Sequence, residues 1–493
     1  MKGWTRQGAL AALLILMAAP VAAAKGDRTL DAALRDHIAV LASDDFGGRE
    51  PGTPGETKTL RYLVGQWHDI GLVSGTNDPG HPWFAPVELV ERKPSESSAS
   101  FKRGERHLLL PKAGAMVLTS EQRNLVRDAP LLFVGQAVTL PPRSELAGRV
   151  AVMLDSLPQG ADRGAAADRQ WQLLSAGAAA VITILDGERG LDDIAMHRAR
   201  AGYALAQDET VADLEAYVSR DYAAKLIGRE FAGLLAAAAR PDFTPRPLGI
   251  TGTLEATSSG QRITTSNLIA KLPGKRPQRG AVLLVAHWDH FGTCASPPAE
   301  DLICNGAIDN ASGLAVMIEV ARSLARGKAL ERDVYFVATT GEELGLLGAR
   351  AFAANPPLPL EQIVAAFNID SPALARSGDP LSIVGRGRTP LDAGIARVAK
   401  SLKRKLQPSA VADDFLKRQD AWALVEHDIP AVMVSAAYAD AARVARFMEM
   451  TYHRPSDELT PEFDLRGAVG EAALQTALVR WFASTKNYPA NPR

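Results

Sequence analysis

Two histidines and four acids stand in short motifs along the second half of the chain. His287 lies in HWDHFG (287–292), Asp309 in GAIDNASG (306–313), Glu342 and Glu343 in TTGEELGLLGA (339–349), Asp370 in FNID (367–370) and His453 in TYHRPSDE (451–458). Neutral imidazole and carboxylate oxygen are donors that suit zinc first, with cobalt or manganese able to substitute. A set of His287, Asp309, Glu343, Asp370 and His453 gives each of two metal ions three protein ligands if Asp309 bridges. A bridging carboxylate offsets the repulsion of two cations at the ~3.5–4 Å typical of such centres. Adjacent acids at a turn point different ways, so Glu343 can bind metal while Glu342 faces the attacking water as general base. The chemistry this set supports is hydrolysis by water acidified at a two-metal centre.

Each motif has a plainer reading on its own. A histidine can simply end a strand, Asp309 can cap the helix that follows, and an EE pair can sit in a first helical turn for its dipole. The case rests on all the motifs occurring in order on alternating strand and helix segments. Asp289, two residues past His287, is a candidate to hold the other imidazole nitrogen and fix the tautomer. Asp457 is a weaker candidate partner for His453. His290 and His427 read as surface or structural histidines.

The elements that must position these residues are legible around them. Apolar, β-branched runs TSNLIAKL (265–272), AVLLVAH (281–287), DVYFVATT (333–340), IVAAFNI (363–369) and AVMVSA (431–436) read as buried strands. Helical stretches are expected at Gly313–Arg326, Glu343–Ala353 and Pro390–Leu402. Strands of this kind alternating with helices predict an α/β fold with a mostly parallel central sheet sandwiched by helices. Sites in such sheets lie at the carboxyl ends of the strands, where His287 and Asp370 fall. Upstream, helices are expected over Leu30–Leu41 and from Leu60 to Ile70, ended by Gly71 and separated by the loop DDFGGREPGTPGE (44–56).

The remainder bounds the protein. A chain of 493 residues is expected to form more than one domain. Its net charge of −1 offers no bulk attraction for nucleic acid or an anionic membrane. Lys2, Arg6, the apolar run Ala9–Ala19 and Ala22–Ala24 read as a cleavable export signal over 1–24, so a periplasmic or extracellular protein without stable membrane association is expected. In that compartment Cys294 and Cys304, which bracket one short loop, are expected to form a disulfide. Between about 85 and 120 the pattern turns to β-like alternation. A strand follows at LAGRVAVML (146–154), then a helix, a glycine break and a strand in RQWQLLSAGAAAVITIL (169–185). This part resembles the protease-associated domain, a small β-rich insert of several exopeptidases. PDFTPRP (241–247) marks its expected end. The expected divisions are 25–115 as the first part of the main domain, 116–247 as the insert and 248–493 as the remainder.

The motifs, taken together, resemble metallopeptidase family twenty-eight, the di-zinc aminopeptidases and their glutamate-carboxypeptidase relatives. The resemblance covers about residues 30–75 and 250–485. It implies a phosphorylase/hydrolase-like fold, peptide substrates and two zinc ions per chain. Asp309 would bridge, with His287 and Asp370 on one zinc, Glu343 and His453 on the other, and Glu342 as general base. It also implies a cis peptide bond at Asp309–Asn310. FLKRQDAWALVEHDIPAV (415–432) departs from the family, with Gln419, Leu424 and Asp428 where serine, phenylalanine and glycine are usual, and no methionine follows Asp370. An aminopeptidase is expected. The alternatives are a carboxypeptidase or dipeptidase with Arg386 and Arg388 holding a substrate carboxylate, a one-zinc transferase like the glutaminyl cyclases, and a non-catalytic ectodomain.

Overall fold

The computed structural model describes residues 29–489 apart from 112, 138, 158–168, 188, 200–201, 209–212 and 241. The expected export signal at 1–24 lies outside them. The chain divides into two compact units, one built from residues up to Glu88 and from Ile263 onward, the other from Leu89–Arg262. The second is wider than the expected insert at 116–247. Strand pairing is the reason: Leu89–Arg92 pair with Gly202–Leu205, and Arg246–Thr257 pair with Arg123–Phe133. Strand segments on both sides of the expected borders therefore close onto this unit.

Within the Leu89–Arg262 unit, the strands Arg123–Gly135, Val150–Leu154, Ala180–Leu185 and Leu214–Ser219 run parallel in that order. Ala115–Thr119 adds an antiparallel edge. Alternate residues feed two cores. Val152 and Ile182 pack with Leu226 and Leu234 on one face, and Ala151 and Val181 pack with Leu146 and Leu173 on the other.

In the other unit, Ala281–His287 is central. It pairs in parallel with Asp333–Thr339 and with Ile363–Asn368, and the latter pairs in parallel with Ala431–Ser435. Antiparallel strands flank this parallel core: Ser382–Val384 on one side, and Leu268–Leu272 followed by Val73–Ser74 on the other. Both faces are covered. Leu284, Phe336 and Phe367 pack with Leu63, Trp67, Leu314 and Leu478 on one face, while Leu283, Val337 and Ala366 pack with Phe352 and Leu424 on the other. That two-sided burial explains the near-continuous apolar runs.

The expected helices form with adjusted ends. Pro54–Ile70 starts on a proline and stops at Gly71, whose φ of 91° closes the cap. Ser312–Ala325 and Asp392–Ser401 fall where expected. The helix expected at Glu343–Ala353 instead begins at Leu347. Gly341, Gly345 and Leu346 have φ of 59°, 111° and 59°, so the chain makes a left-handed turn before it can enter a helix. Glu342 and Glu343 therefore lie on a turn and not in a first helical turn.

The helix Arg466–Phe482 carries a buried acid, Glu471, whose carboxyl accepts the Ala436 N–H at 3.0 Å. Burial pushes its pKa up to about 7. A raised folded-state pKa gives stability that is complete below the unfolded value of about 4.5 and is lost as pH rises through about 7. Glu471→Gln keeps an acceptor and removes the titration. It is expected to gain on the order of 3 kcal/mol relative to the parent between pH 5 and pH 8. Unfolding midpoints at the two pH values check this, and parallel pH profiles would contradict it.

Candidate active site

The donor residues converge at the carboxyl ends of the parallel strands. His287 is the last residue of its strand, opposite Thr339. Glu342 and Glu343 follow the Asp333–Thr339 strand, and Asp370 lies two residues beyond Asn368. Asp309 sits in the kinked turn Ala307–Ala311 that leads into the helix Ser312–Ala325. His453, at φ 57°, follows the helix Ala441–Met450.

Asp309 is the hub. Its Oδ1 is 3.1 Å from His287 Nε2, which also lies 3.8 Å from Asp370 Oδ1. Its Oδ2 is 3.6 Å from His453 Nε2, which is 2.9 Å from Glu343 Oε2. The two carboxylate oxygens thus face two separate imidazoles. The Nε2 atoms of His287 and His453 are buried and make no hydrogen bond. Asp289, Asp309, Asp370, Asp420 and Asp457 are all buried, and so is Arg49. Such an excess of buried carboxylate beside unpaired imidazole nitrogen fits a cation. Donor atoms within 4.8 Å of one another form the groups His287–Asp309–Asp370, His287–Glu342–Glu343 and His290–Asp309–Glu343.

The electrostatics separate the two adjacent glutamates. Burial, opposed by His287 and reinforced by Glu343, Asp370 and Asp420, holds the Glu342 carboxyl well above the usual carboxylate range. Glu343 is buried too, but His453 and His290 outweigh burial and Asp309 and bring it down to about 2. One acid is poised to take a proton and the other to stay charged.

The supporting contacts differ from expectation in two places. Asp289 was expected to hold the His287 ring through its carboxylate. The nearest carboxylate oxygen is 3.9 Å from Nδ1, and it is the Asp289 main-chain carbonyl, at 3.2 Å, that meets the ring. The Asp289 carboxylate instead accepts the backbone N–H groups of Glu342 (3.1 Å) and Glu343 (3.4 Å), fixing the turn that presents both acids. Asp457 does not partner His453. It accepts the N–H groups of Ile308 (2.9 Å) and Asp309 (3.0 Å), because that turn has backbone donors to satisfy. Of the surface and structural readings, His290 takes the structural one: it is buried, with Nδ1 2.6 Å from Glu343 Oε1. His427 is exposed.

Other residues escaped the sequence reading. Arg49 is fully buried and donates to the carbonyls of Trp288, Leu41, Asn305, Gly306 and Asp309. Asn310 ties two donor loops together: Nδ2 donates to the Ile369 carbonyl at 2.9 Å, and Oδ1 accepts from Gly313 N at 3.0 Å and Ser371 N at 3.2 Å. Gly313 has to be glycine, since a Cβ there would lie 2.0 Å from Asn310 Oδ1. The Asp309–Asn310 peptide is cis, as the resemblance implied. Asp420, one residue past the unusual Gln419, is buried and accepts a hydrogen bond from Thr339 Oγ1. The disulfide expected between Cys294 and Cys304 is formed, with Cα atoms 5.7 Å apart.

A cavity opens over the donors, lined by Asp309, Glu342 and Asp370, by Tyr438 and Tyr452, and by Phe415 and Arg418, with Leu374, Val444, Phe447 and Met448 as apolar wall. The Tyr452 ring stacks on His453 with centroids 3.5 Å apart. Its place beside His453 in TYH was the one sequence signal for it. Arg386 and Arg388 are exposed and do not line this cavity.

Parallel strands that end in clustered imidazole and carboxylate donors make a site whose chemistry suits a metal ion. Residues 267–477 match Peptidase family M28. It is 39% identical over 95 residues to the alkaline phosphatase isozyme conversion protein of Escherichia coli (strain K12), covering 18% of this chain and 27% of that protein. It is 30% identical over 117 residues to a probable zinc metalloprotease of Pyrenophora tritici-repentis (strain Pt-1C-BFP), covering 24% of this chain and 26% of that one. The chain therefore spans about a quarter of the length of these relatives. Its fold is similar to that of an aminopeptidase from Aneurinibacillus sp. strain AM-1, with TM-score 0.57 at 18% identity over 92% of this chain and 93% of that one.

Proposed function

We propose that this chain is a zinc-dependent aminopeptidase that removes N-terminal residues from peptides at a centre of two metal ions. The observation that carries the reading is Asp309, whose two oxygens face His287 with Asp370 on one side and His453 with Glu343 on the other. These five side chains would hold the metals, with Asp309 shared. Bound zinc supplies Lewis acidity, which polarises a carbonyl and makes water a nucleophile at neutral pH. Glu342 takes the proton of the attacking water on its carboxylate and hands it to the leaving amine, as its raised affinity for protons suits. Asp289 is a positioning residue for this step, through the two N–H groups of the Glu342–Glu343 turn.

The composition of residues 1–24 supports work in the periplasm or outside the cell as part of this proposal. Among the described residues no helix is long and apolar enough to cross a membrane. The Leu89–Arg262 unit is proposed as a protease-associated domain. The test is a panel of short peptides and aminoacyl anilides with purified protein. Release of N-terminal residues, lost on chelation and restored by zinc, is expected. Release from the C-terminus alone, or no release, would contradict the reading.

A further inference from the structure

The cavity over the donors has charge of both signs. Its floor carries Asp309, Glu342 and Asp370, and Arg418 is the one cationic side chain among the described residues lining it. Arg418 ion-pairs with no carboxylate among the described residues. Aromatic faces hold it in place. Its guanidinium carbon lies 4.9 Å from the Phe415 ring centroid and 5.9 Å from that of Tyr452, and Nη2 donates weakly to the Tyr452 hydroxyl at 3.5 Å. Such stacking orients a guanidinium while leaving N–H groups to bind an anion.

We infer that Arg418 clamps the C-terminal carboxylate of the substrate, so that the preferred substrates are free dipeptides. The inference rests on the aminopeptidase reading above. One tyrosine ring separates the guanidinium from His453, because Tyr452 stacks on that imidazole. A peptide adds about 3.5 Å per residue. With the scissile carbonyl at the donor cluster, a carboxylate one residue further on reaches Arg418. The substrate ammonium is drawn to the acids on the floor, so the cavity offers opposite charge to each end of a zwitterion. A dipeptide amide lacks the anion, and a longer peptide carries its carboxylate past the clamp. The same geometry accounts for Arg386 and Arg388, which were the candidate clamp in the sequence and stand exposed outside the cavity.

The test compares leucyl-leucine with leucyl-leucinamide. Parent enzyme is expected to favour the free acid in kcat/KM by on the order of tenfold to a hundredfold, through KM, as a charge-assisted hydrogen bond implies. Arg418→Gln is expected to bring the ratio near unity, and Arg418→Lys to keep part of it. Added salt should shrink the preference, since the group is exposed. Binding is read separately by calorimetry of both ligands on Glu342→Gln, with and without Arg418→Gln. A preference for the free acid there that disappears with Arg418 upholds the clamp even if neither ligand is cleaved, in which case it is the aminopeptidase reading that fails. Equal binding and turnover of the two forms by the parent, or an Arg418→Gln variant that weakens both alike, would overturn the clamp and leave the aminopeptidase reading standing.

Discussion

Replacing Glu342 by glutamine is expected to lower kcat about a hundredfold to ten-thousandfold, with metal content and KM little changed. Glutamine has nearly the same shape and can accept hydrogen bonds, but it cannot take a proton from water. Glu342 is fitted to that task by its surroundings. It is half-buried beside Glu343, Asp370 and Asp420, and desolvation and these acids raise its affinity for protons, while Glu343 beside it is kept charged by His453 and His290. Asp289 holds the turn on which both stand. Steady-state kinetics on an aminoacyl anilide, together with elemental analysis of the same preparation, checks the expectation. A variant that keeps more than a tenth of parental kcat, or one that loses metal along with activity, would show that Glu342 does not act as the base.

The largest effect on stability is expected from Arg49→Met. The Arg49 guanidinium is 0% exposed, and five main-chain carbonyls accept from it, at 2.8 Å (Trp288), 2.9 Å (Leu41), 2.5 Å (Asn305), 3.1 Å (Gly306) and 3.4 Å (Asp309). Burial lowers its pKa to about 10, with Asp309, Asp457, Asp289 and Glu343 opposing the fall. Methionine fills much of the same space and leaves those carbonyls without a donor, at a cost of about 1–3 kcal/mol for each one that water cannot reach. A loss of at least about 3 kcal/mol is expected, read as a lower unfolding midpoint in urea. Arg49→Lys should recover little, because an ammonium has three donors and no fixed fork. A shift below about 1 kcal/mol for Arg49→Met would mean that the turn around Asp309 holds itself.

Much of the fold could be read from the chain because the donors follow runs that only a doubly covered strand tolerates. AVLLVAH, DVYFVATT and IVAAFNI each end within a few residues of His287, Glu342 and Asp370, so strand edge and chemistry were visible together. What stayed hidden depends on long-range contacts. Arg49 sits in a Gly-rich loop that looks solvated, and its partners at Trp288 and Asn305–Asp309 are more than two hundred residues away. Asp289 and Asp457 were recognised as acids near histidines, yet both spend their carboxylates on backbone N–H groups. The helix expected from Glu343 begins only at Leu347, because the left-handed backbone at Gly341, Gly345 and Leu346 delays it. The second unit outgrew its expected borders because Phe84–Arg103 and Arg246–Leu272 pair beyond the segment whose composition had marked it.

Zinc bound per chain, titrated into metal-stripped protein and followed alongside peptidase activity, tests the central claim most directly. The account predicts two equivalents at saturation for the parent and, for Asp309→Ala, the loss of both tight sites together, since one carboxylate serves both. Saturation at a single equivalent with full activity, or an Asp309→Ala variant that keeps one site at parental affinity, would contradict a shared two-metal centre.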